Sequence, residues 1–258
     1  MTLPTIALGD GLTVPAQGFG TMSLTHAYGP ADEAESIATL HAAIDAGASL
    51  IDTADIYGNG ANEELVGRVL RTRRSEVVLA TKFGFLPEAD ADGRRVRGDA
   101  PYVRAAVERS LRRLGVDRID LYYYHRVDPR VPIEETVGAM SELVDAGLIG
   151  HIGVSEATGA ELARAHAVHP IAAVQSEWSI WSRDVEDHVI PAAVARGVGF
   201  VAYSPLGRGF LTGAVSSNEP LPPADARRNF PRFDDERLRS NEAIVEAVRR
   251  HAAREGLP

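Results

Sequence analysis

Six apolar runs set the folding problem for this chain. They are SLIDTA (49–54), VVLATK (77–82), DLYYYH (120–125), HIGVSE (151–156), AAVQSE (172–177) and VGFVAYS (198–204), all rich in β-branched or aromatic residues. Near-continuous apolarity marks strands buried on both faces, as in a parallel sheet covered by helices. The segments between the runs have helical period. In ADEAESIATLHAAIDAG, Ile37, Leu40 and Ile44 share one face and Gly47 stands at the C-terminal cap. Asn62 is expected to cap a second helix carrying Leu65, Val66 and Val69. Pro101 suits the first turn of a third, with Val103, Val107, Leu111 and Leu114 inward. Thr158 and Glu161 form a capping-box pair. Strand alternating with helix is the pattern of an α/β fold.

The runs also end alike. Their carboxyl ends carry Asp52, Lys82, His125, Ser155 with Glu156, Gln175, and Tyr203 with Ser204. A (β/α)8 TIM barrel brings all such ends to one mouth, where the active site lies. A doubly wound sheet uses only those beside a switch point, so the barrel accounts for more of these residues. A further strand around AQGFGTM (16–22) brings the count to seven, and the last helix, NEAIVEAVRRHAAREG (241–256), is followed by Leu257 and Pro258 alone. The expected architecture is one α/β barrel domain over residues 1–258, truncated before its last strand–helix unit. The polar stretch from Ser216 to Asp235 is expected as a loop over the mouth or as disorder.

Composition narrows the functional classes. A formal charge of −9 and a pI near 5.4 argue against a nucleic-acid surface, which shows a basic stripe. No run approaches the roughly 20 apolar residues that cross a bilayer. The N-terminus lacks the basic start and long apolar centre of a signal peptide. With no cysteine there is no disulfide, thiolate metal site or cysteine nucleophile, which suits a cytoplasmic protein.

Four chemistries compete for the mouth. His125 with Asp128, and His151, are candidate metal ligands, but there is no HExxH and no other tight ligand spacing. Asp52 and Glu156 could serve two-carboxylate glycoside hydrolysis, which leaves Tyr57 and Lys82 without a role. Lys82 at a strand end could form a Schiff base. The fourth uses all four residues. A tyrosine protonates a carbonyl oxygen while a hydride reaches its carbon. A free phenol has a pKa of about 10, a neighbouring ammonium favours the phenolate, and a carboxylate holds that ammonium in place. A histidine at the same mouth orients the oxygen. Asp52, Tyr57, Lys82 and His125 form that set, from three consecutive strand ends.

These residues sit in stretches that resemble the aldo-keto reductase superfamily, in the style of its broad-substrate bacterial and plant members. The stretches are GFGTM, IDTADIYGNGANEELVGRVL, LATKFG, IDLYYYH, IGVSE, VQSEWS and AYSPLGRGFLTG, in this order, and the resemblance covers nearly the whole chain. It implies NAD(P)H-dependent reduction of aldehydes and ketones to alcohols. Asp52, Tyr57, Lys82 and His125 would be the catalytic tetrad, with Tyr57 the proton donor. It also implies NADP(H) rather than NAD(H), bound without a Rossmann fold. Residue by residue, it places Gly20, Thr21, Met22 and Asp52 beside the nicotinamide, Ser155 and Gln175 on its carboxamide, and Tyr203 against its ring. Ser204, Pro205, Leu206, Gly207 and Arg208 would wrap the pyrophosphate, where glycine lets backbone N–H groups approach an anion.

The sequence departs from the family pattern in two places. Glu156 stands where many members have asparagine on the carboxamide. The family's last strand and helix, with basic residues for the 2′-phosphate, would follow Pro258. The chain is therefore expected to be a fragment of a longer product, poorly soluble or oligomeric as written. Asp55 has no family role and reads as a turn or surface residue. Trp178, Trp181, Phe83 and Tyr28 are candidates for an apolar substrate pocket, with the core as the commoner place for aromatics. Two rival readings remain: a non-catalytic cofactor-binding regulatory or redox-sensing subunit, and a Schiff-base lyase acting through Lys82.

Overall fold

A computed structural model describes residues 3–25, 27–215 and 221–257. A hairpin of β1 (Thr5–Ala7) and β2 (Thr13–Pro15) comes first. A parallel sheet follows, its strands adjacent in chain order: β3 (Gly18–Gly20), β4 (Leu50–Asp52), β5 (Val78–Phe83), β6 (Ile119–Tyr124), β7 (Ile149–Ser155), β8 (Ile171–Glu177) and β9 (Gly199–Tyr203). Six helices alternate with these strands among the described residues: α1 (Glu33–Asp45), α2 (Ala61–Arg73), α3 (Ala100–Leu114), α4 (Ile133–Asp145), α5 (Gly159–Val168) and α6 (Val185–Val194). A seventh, α7 (Asp235–Glu255), follows the loop after β9. The sheet curls into a nearly closed barrel, and all strand carboxyl ends meet at one mouth, as expected.

Local chemistry explains most boundaries. Asp32 and Asp99 cap α1 and α3 by accepting from the backbone N–H of Glu35 and Tyr102. Thr158 and Glu161 form a full capping box on α5. Asn62 is a correction. α2 begins at Ala61 after a left-handed Gly60, so Asn62 lies inside the first turn, where its side chain is buried. α7 also begins earlier than its pattern indicates, at Asp235 rather than Asn241.

Two apolar layers hold the barrel. Outward-facing strand residues such as Ile51, Leu79, Phe83, Tyr122 and Val154 pack against helix residues including Leu40, Val66, Val107 and Met140. Inside, Leu50, Ala80, Leu121, Tyr123, Ala172 and Ala173 meet Leu8, Leu12 and Val14 from the hairpin, which closes the end opposite the mouth. The Gly9–Asp10–Gly11 turn is the sequence signal of this hairpin. Asp10 and Gly11 adopt the positive φ that a tight hairpin requires. Burying each of its three aliphatic side chains is worth about 1.5–3 kcal/mol. At the far end of the lumen, Tyr123 lies across Gly153, where a Cβ would approach the ring to 2.4 Å.

A third cluster of Phe210, Leu211, Val215, Phe233, Leu238 and Val245, with Trp181 against it, ties α7 to the segment after β9. Residues 221–235 of the expected mouth loop carry two short 3-10 turns, Ala226–Asn229 and Pro231–Phe233. The Ala226 N–H donates to Ala27 O at 3.0 Å, joining this loop to the one after β3. Residues 216–220 of that loop lie outside the described residues. No helix among the described residues is long and apolar enough to cross a membrane.

Candidate active site

The turn after β4 is built by its glycines. Gly58, Asn59 and Gly60 are consecutive left-handed residues, at φ 56°, 53° and 96°. Glycine adopts this conformation without the Cβ clash that penalises other residues, and asparagine tolerates it. The reversal carries the half-buried Tyr57 back over the end of β4, where its N–H donates to Ala54 O.

Lys82 lies at the centre. It is 1 % exposed, and its ammonium donates to Asp52 Oδ1 and to Thr53 O, the latter at 2.9 Å. Its Nζ sits 5.2 Å from the Tyr57 ring centroid and 6.0 Å from that of Tyr123, which forms the floor. Burial is the largest single influence on this lysine and favours the neutral amine. The charge of Asp52 and its hydrogen bond, with the Tyr57 oxygen adding to them, outweigh it and raise the pKa above the ordinary lysine value. Gln175 holds the other Asp52 oxygen, donating through Nε2 to Oδ2 at 2.9 Å.

His125 stands edge-on to Tyr57, with ring centroids 6.0 Å apart, and edge-on to Phe85 at 4.8 Å. Its Nδ1 is buried without a partner. Burial, then the charges of Lys82 and Arg126, hold its pKa well below the usual histidine value, so the imidazole is neutral. The four tetrad candidates thus converge on one end of the barrel.

Behind the site lies a polar network that sequence reasoning missed. Asn62 Oδ1 accepts from the Thr21 and Thr53 hydroxyls, the latter at 2.7 Å, and Nδ2 donates to Thr21 O and Thr25 Oγ1 at 2.8 and 2.9 Å. It therefore braces the ends of β3 and β4, including the residue whose carbonyl receives Lys82. The neighbouring Glu63, fully buried, accepts from Thr81 at 2.6 Å and from Arg113 Nε at 2.7 Å. Asp55 differs from its surface expectation. Its Oδ1 is sealed from solvent without a partner, and burial, reinforced by Glu63 against the opposing Arg113 and Arg109, pushes its carboxyl up to about 7.

The remaining candidates ring the mouth. Gly20 ends β3 with open space where a Cβ would stand, Thr21 is buried, and Met22 begins a 3-10 turn. Ser155 accepts from Arg126 NH1 at 3.2 Å. Glu156 accepts the Glu177 N–H at 3.0 Å. Glu156, Ser204 and Arg208 all hold positive φ, at 54°, 50° and 56°. Such backbone strain clusters at functional sites. Burial, then the charge of Glu156, raises the Tyr203 phenol. Pro205 and Leu206 are exposed, while Gly207 is buried against Trp181. Arg208 pairs with Glu177 at 3.0 Å, its Nε and NH1 buried without acceptors.

One expectation changes. Phe83 is fully buried on the outer face, stacked on Tyr122 and Tyr124 at 4.9 and 5.3 Å, and lines no pocket at the mouth. Trp178 packs edge-on against Phe200, and Trp181 stacks on Phe210 at 4.8 Å. His151 sits toward the closed end, 3.0 Å from Asp10, and Asp128 accepts the Arg130 N–H, so neither joins His125 in a ligand set.

Comparison with known proteins agrees with the barrel fold. The model of the aldo/keto reductase family matches residues 17–258. Among solved structures, the chain is similar to a glycerol dehydrogenase from Gluconobacter oxydans, with a TM-score of 0.86 and 30% identity over 98% of this chain and 79% of that one. It is also similar to the holo form of an aldo-keto reductase from Bacillus halodurans, with a TM-score of 0.73 and 34% identity over 86% of this chain and 71% of that one. Sequence, barrel topology and relatives coincide, and the chain belongs to the aldo/keto reductase family.

Proposed function

We propose that this oxidoreductase reduces aldehydes and ketones to alcohols with NADPH, Tyr57 being the proton donor. The observation that carries the reading is the buried Lys82 ammonium, held by Asp52 and lying 5.2 Å from the Tyr57 ring, beside a neutral His125. NADPH supplies the hydride when bound. Tyr57 gives its hydroxyl proton to the carbonyl oxygen, and Lys82 stabilises the phenolate that is left. Asp52 keeps Lys82 in place. His125, uncharged, orients the carbonyl without repelling Lys82.

The residues present suit such a cofactor. Arg208 and Trp181 bring buried N–H donors without acceptors to the Ser204–Arg208 turn, a demand that a pyrophosphate meets. Ser155 and Tyr203 stand at the same mouth for the nicotinamide end. The Schiff-base alternative needs an unprotonated amine, which the raised pKa of Lys82 opposes.

A panel of carbonyl compounds assayed by loss of NADPH absorbance, with NADH in parallel, tests the activity and the cofactor preference. Tyr57→Phe should lower kcat by about 10²–10⁴-fold, the usual size of acid catalysis. NADPH affinity by fluorescence should stay within a few-fold. A variant keeping more than about a tenth of wild-type kcat would assign the proton to another group.

A further inference from the structure

The mouth holds an arginine that the reaction above does not use. Arg126 follows His125, and its guanidinium lies over the Phe85 ring, 5.3 Å from the centroid. Phe85 in turn stands edge-on to His125. Arg126 NH1 donates to His125 O at 2.6 Å and to Ser155 Oγ at 3.2 Å, which pins the head group at the strand ends. Both acceptors are neutral. Among the described residues no carboxylate lies within ion-pair distance of Arg126, whereas Arg208 and Arg232 both pair with Glu177. Arg126 lies close enough to His125 and Tyr203 for its charge to act on both. An arginine presents five donors in a rigid fork, and NH1 alone makes the two bonds here.

We propose that Arg126 is a specificity-determining residue that binds the carboxylate of an anionic carbonyl substrate, an oxo acid or a carboxylated aldehyde. The inference rests on the reductase reading and names its substrate class. A planar guanidinium already held by two hydrogen bonds and an aromatic face loses little freedom when it takes a carboxylate. Its place next to His125 puts it at the same strand ends as the His125 and Tyr57 that receive the carbonyl.

The test compares 4-carboxybenzaldehyde with its neutral isostere 4-formylbenzamide. The quantity read is the ratio of their kcat/KM values within each variant. Any change that Arg126 imposes on His125 affects both substrates and cancels. Wild type should favour the carboxylate, and raising ionic strength should erode that preference. In Arg126→Gln the ratio should fall by about tenfold, and Arg126→Lys should recover part of it. An unchanged ratio in Arg126→Gln overturns the proposal. So does an unchanged ratio with weakened NADPH binding, which would assign Arg126 to the cofactor. Failure of the wild type to reduce either compound would sink the reductase reading instead. Calorimetric titration with 4-(hydroxymethyl)benzoate and 4-(hydroxymethyl)benzamide then decides the anchor without turnover. Tighter binding of the carboxylate, lost in Arg126→Gln, supports the proposal, and equal binding of the two overturns it.

Discussion

Gln175 reaches across the barrel and donates through Nε2 to Asp52 Oδ2 at 2.9 Å. Three strands separate β4 from β8 in the sheet, so this bond spans the lumen rather than a ladder. It leaves Asp52 held on both sides, by Lys82 at one oxygen and Gln175 at the other. A carboxylate held this way fixes the lysine, and through it the geometry offered to Tyr57.

Gln175→Glu tests that bond by charge alone. A second carboxylate against Asp52 repels it when ionised and can donate to it only when protonated. The introduced group has a folded-state pKa above its unfolded value of about 4.3. Its stabilising contribution is therefore present at low pH and lost as pH rises through the folded value. Thermal melts should show the variant near wild-type stability at pH 4.5 and clearly less stable at pH 8. Parallel melting curves at both pH values would mean that the two side chains are not coupled.

His125 carries an acid-side penalty. Its folded pKa lies below the unfolded value of about 6.5, so the unfolded chain takes up the proton first and stability falls as pH drops below about 6.5. Above that pH the histidine has no such effect. His125→Gln should lose less melting temperature than wild type between pH 7 and pH 5. Equal losses would place the acid sensitivity elsewhere.

Asp55 has the opposite sign. Its carboxyl is pushed up to about 7, above the unfolded value of about 3.9. Its favourable contribution is complete at low pH and is lost as pH rises through 7. Asp55→Asn should raise the melting temperature relative to wild type at pH 8, with the difference shrinking toward pH 4. A gain that is constant with pH would show that ionisation of Asp55 is not its source.

Glu63 gives the largest stability effect. It is fully buried and joins Thr81 to Arg113. Removing one partner of a buried pair leaves an uncompensated charge and costs about 3–5 kcal/mol. Glu63→Ala should lose that much in urea unfolding, and Glu63→Gln, which keeps an acceptor for Thr81, should lose less. A loss below about 1 kcal/mol in the alanine variant would mean that Arg113 finds water instead.

Much of this molecule can be read from neighbouring residues. Alternating apolar runs and helical segments specify a barrel because strands apolar on both faces need helices outside and one another within, and polar strand ends then share a mouth by topology. The left-handed turn at Gly58, Asn59 and Gly60 follows from residue type, as does the capping box at Thr158 and Glu161. Phe83 was legible too. It follows Lys82 in β5, and adjacent strand residues face opposite sides, so one entering the lumen sends the other to the helices. What local pattern does not contain is partner identity across the fold. Asn62 after Gly60 has the look of a cap, yet its oxygen serves Thr21, 41 positions away, and Thr53. Asp55 is a turn residue by type and becomes a raised acid because the packed helices bury it and α2 brings Glu63 beside it, which together outweigh the opposing Arg113 and Arg109 of α3. Arg126 borders His125 in the chain, but Ser155 reaches it through the pairing of β6 with β7. Burial and charge at these positions come from segments distant in sequence, so they exist only once the barrel has closed around them.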